Sequence, residues 1–311
     1  MKLAALDVGT NSVLMLVVER GADGHVRRLA DWSRITRLGR GVDATGHLDP
    51  VSALKTLDAI GEFTDQARAL GAEKILTAAT AALRDAADCA DFLSRVKARS
   101  GLDLEVISGE TEAQLAWLSS IKGLDLDPSS KLLIVDIGGG STELIRAQPG
   151  GAIDLVSLQI GSVRLTERLV HADPPGAREA AELRVTIDQA LAAIHWNYQP
   201  DLMVGIAGTV TTVCAVALGL ERYDPDRVHG YRLAHADVLH VLGKLAVPLE
   251  QRKQIPGVEA GRADVILAGA AILERVMAHF KLDQVIVSDQ GVRWGLIWRE
   301  LETPSTAAAE Q

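Results

Sequence analysis

The chain has 311 residues and a net charge of −9, with 48% hydrophobic and 23% charged residues. This is the composition of a globular protein, long enough for two domains. The acidic balance argues against a general nucleic-acid-binding surface, which is normally basic. A small anionic ligand remains compatible with it, because a few local backbone amides and arginines suffice to bind one.

The sequence favours a soluble cytoplasmic protein with no membrane contact. Two distant cysteines, Cys89 and Cys214, form no CxxC motif, which fits a reducing compartment. Asp7 comes too early for the apolar core of a signal peptide. Residues 202–220 carry no charge and approach the length of a membrane span. Two glycines and three threonines near the middle of this segment favour a buried strand, loop and helix instead.

The first part of the chain predicts an α/β domain that begins with a hairpin. A strand over 2–7, a Gly-containing turn over 8–12 and a strand over 13–20 follow one another too closely for a crossover helix. The later elements are predicted in this order: a turn at 21–26, a helix over 50–70, a strand and polar loop within 74–85, a helix over 88–100, a strand over 102–108 and a helix over 109–121.

The second part begins after a polar stretch with turn residues, 122–130, which is typical of a domain junction. The predicted elements are a strand, Gly loop and strand over 131–145, a strand, loop and helix within 202–220, a helix over 263–280, a strand within 284–291 and a final amphipathic helix over 292–301. We therefore place one lobe at 1–124 and a second at 125–302, with a last helix, about 291–302, that packs back on the first lobe. Residues 303–311 are predicted to be disordered.

One internal repeat marks a candidate site. The segment "KLLIVDIGGGSTELI" and the N-terminal "LAALDVGTNSVLMLVV" both place an aspartate and a glycine turn between two apolar runs. Glycines let a backbone approach an anion closely, and hydroxyls add donors. The aspartate of the later copy, Asp136, suits a hydrated divalent cation that bridges phosphate oxygens. The earlier copy offers Asp7, Thr10, Asn11 and Ser12 for the same task.

A third loop, "GIAGTVTT", offers Gly208, Thr209 and Thr211 at a strand-to-helix turn, where the helix N-terminus favours negative charge. A single Asp–Gly turn is more often only a turn. Two such turns at equivalent places, together with this loop, indicate phosphate binding in a cleft between two lobes. The chain contains neither a P-loop nor a Rossmann glycine motif.

These blocks resemble the exopolyphosphatase/guanosine pentaphosphate phosphohydrolase family of the actin-like ATPase superfamily. The matching segments, in order, are "ATAALRDA", "VISGETEAQLAWL", "LIVDIGGGSTELI", "SLQIGSVRLTE", "GIAGTVTTVCAV", "VHGYRL" and "VSDQGVRWGLI". The resemblance covers about residues 3–299. It implies an α/β protein with two ribonuclease-H-like lobes around an interlobe cleft.

The resemblance also implies roles for particular residues. Glu112 would activate the attacking water, Asp136 and Glu143 would hold Mg²⁺, and Arg84 would contact phosphate. The remaining phosphate-binding residues would come from the glycine loops: Asp7, Asn11, Ser12, Gly138, Gly139, Gly140, Ser141, Thr142, Gly208 and Thr209.

The residues themselves leave an alternative for Glu112. Ser108 has the position of a helix N-cap, and Glu110 then lies in the first turn, where the helix dipole favours a carboxylate. Either glutamate could serve only to start the helix. The chain also departs from the family pattern, with Thr111 and Trp294 where acidic residues are common and without the C-terminal helical domain of longer relatives. Arg34, Arg37 and Arg40 could line a substrate track or a solvated loop.

The function predicted from this resemblance is Mg²⁺-dependent hydrolysis of terminal phosphate from inorganic polyphosphate, with short to medium chains preferred. Guanosine pentaphosphate is the alternative substrate. An actin-like small-molecule kinase and a phosphate- or nucleotide-binding sensor are alternatives of other classes. Guanosine nucleotides as partners and a homodimer are left open.

Overall fold

The computed structural model describes residues 1–127, 129–147 and 153–303. Its first sheet has the strand order β3-β2-β1-β4, with β1 antiparallel to β2 and parallel to β4. The strands are β1 (Lys2–Val8), β2 (Ser12–Arg20), β3 (Val26–Ile35) and β4 (Lys74–Ala79). The helices of this part are α1 (Val42–Thr45), α2 (Pro50–Ala69), α3 (Ala81–Asp85), α4 (Cys89–Ser100) and α5 (Gly109–Leu124).

The second sheet has the order β7-β6-β5-β8-β10-β9. Its strands are β5 (Leu132–Ile137), β6 (Thr142–Ala147), β7 (Ile153–Leu158), β8 (Leu202–Ile206), β9 (Arg232–Ala234) and β10 (Gln284–Val287). The helices are α6 (Ser162–Leu169), α7 (Ala177–Ala192), α8 (Ala207–Ala217), α9 (Pro225–Val228), α10 (His235–Leu245), α11 (Leu249–Arg252), α12 (Ile266–His279) and α13 (Val292–Glu302), with a 3₁₀ turn at Ala260–Arg262.

The two sheets share a core plan, in which an antiparallel hairpin is extended by a parallel strand. β1 lies between β2 and β4, and β5 lies between β6 and β8 in the same manner. The prediction of an α/β fold with two lobes is confirmed. The assignment of residues 1–124 and 125–302 to the two lobes stays a prediction.

The last helix, α13, lies against the first sheet although it follows the last strand of the second. Trp294 and Leu296 are buried with Leu3 and Ala5 of β1, and the Trp294 ring stacks on Trp298 at 5.9 Å between centroids. Burying the Trp294 ring and part of the Trp298 ring removes a large apolar area from water. The departure at Trp294 therefore serves the packing between α13 and the first lobe.

Three local predictions were wrong. Residues 102–108 form no strand, because Leu104 and Ile107 pack into two different core clusters and only Val106 bridges to Ala79. The predicted polar loop after β4 is the short helix α3. The predicted loop after β8 is the first turn of α8, which the chain enters through Ala207 at φ 68.

The hairpin at the N-terminus and the helices over 50–70, 88–100 and 109–121 are confirmed, as are the elements predicted around 263–301. The segment 202–220 forms β8 and α8, and among the described residues no helix is both long and apolar enough to cross a membrane. The tail predicted to be disordered lies, from residue 304 onward, outside the described residues.

Candidate active site

The two Asp–Gly turns of the sequence repeat have the same local structure. In the first, the Gly9 amide donates to the Ser12 carbonyl at 3.0 Å, and in the second the Gly138 amide donates to the Ser141 carbonyl at 3.0 Å. Each turn joins the two strands of an antiparallel hairpin. The repeat in the sequence is therefore a repeat in structure, with one copy in each lobe.

The second glycine loop is held in place by its carbonyl groups. The amides of Ser162 and Val163, at the start of α6, donate to the carbonyls of Gly138 and Gly139 at 3.0 and 2.9 Å. Gly161 packs so closely that a Cβ there would overlap the Gly139 carbonyl. Only glycine fits at such an approach, so Gly161, the residue before α6, allows the loop to lie in this position.

The two loops approach each other across the lobes. Thr10 of the first loop lies against the second, with its Cγ2 3.0 Å from the position of a Cβ on Gly139. Arg164 of α6 donates to the Gly140 carbonyl at 2.7 Å and pairs with Asp43 and Asp85 of the first lobe. A cavity of only about 20 Å³ remains between these elements, so the lobes are nearly closed here.

Asp136 and Glu143 are direct partners across β5 and β6. Directly opposed residues of an antiparallel pair have their side chains on one face, about 5 Å apart at Cβ. Both residues are buried, with 8% and 2% of their surface exposed. Burial raises the pKa of both carboxyl groups, and the Glu143 charge raises that of Asp136 further. Ser157 of β7 donates to Glu143 Oε1 at 2.8 Å.

Glu112 lies in the first turn of α5, close enough to this pair for its charge to raise the pKa of Asp136. Ser108 caps the helix by accepting the Thr111 amide at 3.2 Å. Burial, with the neighbouring charge of Glu143, raises the pKa of Glu112 to about 8, although Arg84 opposes the shift. Glu110 of the same turn is exposed and its pKa is lowered by local hydrogen bonds. Glu110 therefore fits the role of a helix-start residue, whereas Glu112 does not.

Arg84 joins α3 to α5 at this point. Its Nη1 donates to Glu112 Oε2 at 2.8 Å and to the Ile107 carbonyl at 3.0 Å. A charge-assisted hydrogen bond to a largely buried carboxylate restricts its rotamer. The arginine thus holds the side chain of Glu112 in position.

Asp7 supplies a fourth carboxylate from the first lobe. Its Oδ1 is buried and, like Oδ1 of Asn11, has no hydrogen-bond partner within the described ranges. Burial raises the pKa of Asp7 to about 6, and the cation of Arg293 opposes this shift. Arg293 is itself buried and pairs with Asp31. A buried polar atom without a partner indicates a position for a ligand, a water molecule or an ion.

Comparison with known proteins identifies the family of this chain. The profile of the "Ppx/GppA phosphatase family" matches residues 17–304. The chain belongs to the Ppx/GppA phosphatase family. "Exopolyphosphatase 2" of Mycobacterium tuberculosis is 33% identical, over 95% of this chain and 97% of that protein. "Guanosine-5'-triphosphate,3'-diphosphate pyrophosphatase" of Vibrio atlanticus is 32% identical, and the match covers 96% of this chain but only 59% of that protein.

Solved structures show the same relationship. The crystal structure of the Aquifex aeolicus member of the Ppx/GppA family is 33% identical and superposes with a TM-score of 0.82, covering 97% of both chains. The crystal structure of an exopolyphosphatase-like protein is 29% identical with a TM-score of 0.89, covering 96% of this chain and 97% of that one. The two-lobed fold is therefore that of Ppx/GppA phosphatases, which are hydrolases.

Among the site residues predicted for this Ppx/GppA member, four carboxylates and Arg84 come together. The charges of Asp7, Glu112 and Glu143 raise the pKa of Asp136, and Arg84 acts on Glu112 and Glu143. The described part of the chain holds no group of three or more His, Cys, Asp or Glu side chains close enough to form a complete metal site. Mg²⁺ commonly takes one or two carboxylates and fills its shell with water and phosphate oxygens. The opposed pair Asp136–Glu143, with the unpartnered oxygen of Asp7, fits that mode of binding.

Other predicted residues have different surroundings. Thr142 is fully buried and its hydroxyl donates to the Ile160 carbonyl at 2.6 Å, so its side chain cannot line an open cleft. Thr209 is buried and packs toward Gly269 of α12. Gly208 lies in the first turn of α8, where the guanidinium of Arg262 packs against it.

Two arginines of the site were missed by the sequence analysis. Arg262 lies against Gly208, and Arg293 lies beside Asp7 and pairs with Asp31. Neither belongs to a glycine loop, and each is far in sequence from its neighbour in the site. For Arg293 the only available signal was its place within the block "VSDQGVRWGLI", whose role the sequence did not reveal.

Proposed function

We propose that this phosphatase is a Mg²⁺-dependent exopolyphosphatase, which removes terminal phosphate from inorganic polyphosphate. The observation that carries the proposal is Glu112, a buried carboxylate with its pKa raised to about 8, placed among two glycine loops and the pair Asp136–Glu143. A carboxylate of raised pKa inside a cleft suits a general base that works near neutral pH. The relatives named exopolyphosphatase support polyphosphate as the substrate class.

In the proposed reaction, Glu112 accepts a proton from water while the water oxygen bonds to the terminal phosphorus. The bond from that phosphorus to the bridging oxygen breaks, and the shortened chain leaves with the electron pair of that bond. Arg84 holds Glu112 in position and contacts the phosphoryl oxygens, as do the glycine loops. Mg²⁺, held by Asp136 and Glu143, would neutralise phosphate charge when bound. Asp7 would orient water or the ion from the facing lobe.

Guanosine pentaphosphate is the second candidate substrate, favoured by the similarity to the Vibrio protein. It requires a surface that recognises guanine as well as phosphate. Many aromatic side chains of the described chain already have partners: Trp32 stacks on Phe63, Trp294 stacks on Trp298, and Arg146 covers Trp196. Tyr223 is half exposed, and its hydroxyl donates to Asp289. This pattern favours polyphosphate.

Two further proposals concern the cellular compartment and the oligomeric state of the enzyme. The free thiols of Cys89 and Cys214 support a reducing, cytoplasmic compartment. A homodimer stays a prediction from the family resemblance.

The deciding experiment is phosphate release from short polyphosphate, medium polyphosphate, long polyphosphate, guanosine pentaphosphate and ATP at equal phosphate concentration with Mg²⁺. We expect the highest turnover on polyphosphate of short to medium length. A clear excess of turnover on guanosine pentaphosphate would show that this nucleotide, and not polyphosphate, is the substrate. The role proposed for Glu112 would be unaffected. Preferred use of ATP with phosphate transfer to a small molecule would instead indicate the kinase alternative.

A further inference from the structure

Arg164, in the first turn of α6, connects the second glycine loop to the first lobe. Its Nε donates to the Gly140 carbonyl at 2.7 Å, and its backbone amide donates to the Gly139 carbonyl at 3.0 Å. On the other side, its Nη1 donates to Asp43 of α1, and its Nη2 lies 3.7 Å from Asp85, the last residue of α3. One side chain therefore bonds the loop and two helices of the facing lobe.

The guanidinium of Arg164 is fully used by these protein groups. Nε, Nη1 and Nη2 each have a partner, and the side chain is only 13% exposed. An arginine that binds phosphate usually presents two parallel N–H donors to its oxygens. In Arg164 the two terminal nitrogens are directed to carboxylates instead. The residue therefore fits a role in holding protein groups in place, and not a role in binding substrate.

The contact at Asp85 leads directly to the proposed base. Asp85 follows Arg84 in the chain, and Arg84 Nη1 donates to Glu112 Oε2 at 2.8 Å. Because α3 has only five residues, a shift of Asp85 would also move Arg84. The position of Glu112 is thereby coupled to the position of Arg164.

The two sides of this contact are tightly packed. The cavity that remains between α3 and the second glycine loop has a volume of about 20 Å³, which is room for about one water molecule. α1 is fixed to the same unit, since the Ala87 amide, just after α3, donates to the Gly46 carbonyl at 2.9 Å. A change in the length or charge of Arg164 would therefore be transmitted to both helices.

We propose that Arg164 is a positioning residue, which sets the distance between the second glycine loop and Glu112. The water activated by Glu112 is then aligned with the phosphoryl group held by the loop. This inference rests on the proposed function and adds a residue that acts through Gly140 on one side and through α3 on the other. Misplacing reacting groups by about 1 Å can lower a rate about a hundredfold, so such a residue affects turnover more than binding.

The test measures kcat and substrate affinity for three variants of the full chain, well below their melting temperatures. The first is Arg164→Gln, the second carries Asp43→Asn with Asp85→Asn, and the third combines all three changes. Turnover is measured on the polyphosphate length that the parent protein hydrolyses fastest. The dissociation constant of tripolyphosphate is measured in proteins that also carry Glu112→Gln, so that hydrolysis does not interfere.

The matched control is Arg275→Gln. Arg275 of α12 is also part-buried and also pairs with two carboxylates, Asp188 at 2.7 Å and Glu274 at 3.6 Å. Both partners lie in the second lobe, and neither belongs to a glycine loop. This variant should lower the melting temperature without lowering kcat, and so it separates loss of stability from loss of positioning.

We expect kcat of Arg164→Gln to fall about tenfold to a hundredfold. The dissociation constant of tripolyphosphate should change by no more than about threefold, the scale of one exposed ion pair. Because the arginine and its two carboxylates act through one contact, the triple variant should be no slower than Arg164→Gln. Arg164→Lys keeps the charge but not the planar set of donors, so it should stay impaired.

A loss of tripolyphosphate affinity as large as the loss of kcat would overturn the proposal. So would an additive loss in the triple variant, full recovery in Arg164→Lys, or a fall in kcat no larger than that of Arg275→Gln. If the parent protein hydrolyses guanosine pentaphosphate or ATP but no polyphosphate, the proposed function fails, and the same kinetic comparison on that substrate decides the role of Arg164. A parent protein that hydrolyses none of them would overturn both proposals.

Discussion

Asp136 and Glu143 face each other across neighbouring strands, inside the protein, and the cation of Arg84 only partly offsets the rise in the pKa of Glu143. Directly opposed like charges destabilise an antiparallel pair, and burial increases the cost because the charges lose their hydration. The pKa of both groups is raised as a consequence. Two ionised carboxylates placed this close together raise the free energy of the metal-free protein, but they favour the binding of a divalent cation. Four predictions follow from this pair and from the surrounding loops.

The first prediction concerns the proposed base. Glu112→Gln keeps the size of the side chain and its contact with Arg84 but removes proton acceptance. Turnover should fall by about a hundredfold or more, the usual scale for a general base, with little change in polyphosphate affinity. Steady-state kinetics and a binding titration separate the two effects.

Glu110→Gln is the matched control for that experiment. Glu110 lies in the same helical turn but is exposed, so turnover and melting temperature should both stay close to those of the parent protein. Near-normal turnover in Glu112→Gln would remove this residue from the mechanism.

The second prediction concerns Mg²⁺. Asp136→Asn and Glu143→Gln each replace an anionic oxygen that a hard cation prefers. The Mg²⁺ concentration needed for half-maximal activity should rise by about tenfold or more, the scale on which altered metal surroundings change affinity. Glu221→Gln, which removes an exposed carboxylate after α8, should leave this concentration unchanged. Full activity of the parent protein in the presence of a chelator would contradict the metal assignment.

The third prediction is the pH dependence of stability without metal. The pKa of Asp7 is raised to about 6 and that of Glu112 to about 8, and those of Asp136 and Glu143 are also raised. Groups with a raised pKa in the folded state contribute stability at low pH that is lost as the pH rises through the folded-state value. The melting temperature of the metal-free protein should therefore fall between pH 5 and about pH 8.

The change in melting temperature on addition of Mg²⁺ tests this prediction a second time. Because the cation binds ionised carboxylates, it should raise the melting temperature more at pH 8 than at pH 5. The same change should be weaker in Asp136→Asn. A metal-free melting temperature that rises steadily over this range would show that the cluster does not dominate the linkage.

The fourth prediction concerns the support of the glycine loop. Gly161→Ala would force its Cβ against the Gly139 carbonyl, so the free energy of unfolding should drop by about 1–3 kcal/mol, as for other overpacked sites. Activity should fall with it because the loop must move. Gly243→Ala, in the last turn of α10 with open space around it, should stabilise the protein by at most about 0.5–1 kcal/mol. Urea unfolding and phosphate release test both variants, and an unaffected Gly161→Ala would contradict the packing argument.

The sequence by itself determined the features that depend on neighbouring residues. The paired Asp–Gly turns, the N-cap at Ser108 and the helix that carries Glu112 could all be predicted, because turn chemistry and apolar periodicity act over a few residues. The same local logic was wrong for residues 102–108. Their apolar alternation suits a strand, but Leu104 and Ile107 are buried in different clusters, and only the fold could show that.

The tertiary structure decided what depends on distant parts of the chain meeting. Arg293 reaches Asp7 only because α13, at the far end of the chain, packs on β1. The burial that raises the pKa of Glu112 likewise exists only once the lobes are assembled. Propensity and periodicity record which face of an element is apolar, whereas charge interactions and desolvation depend on distances in space, which those local patterns do not contain.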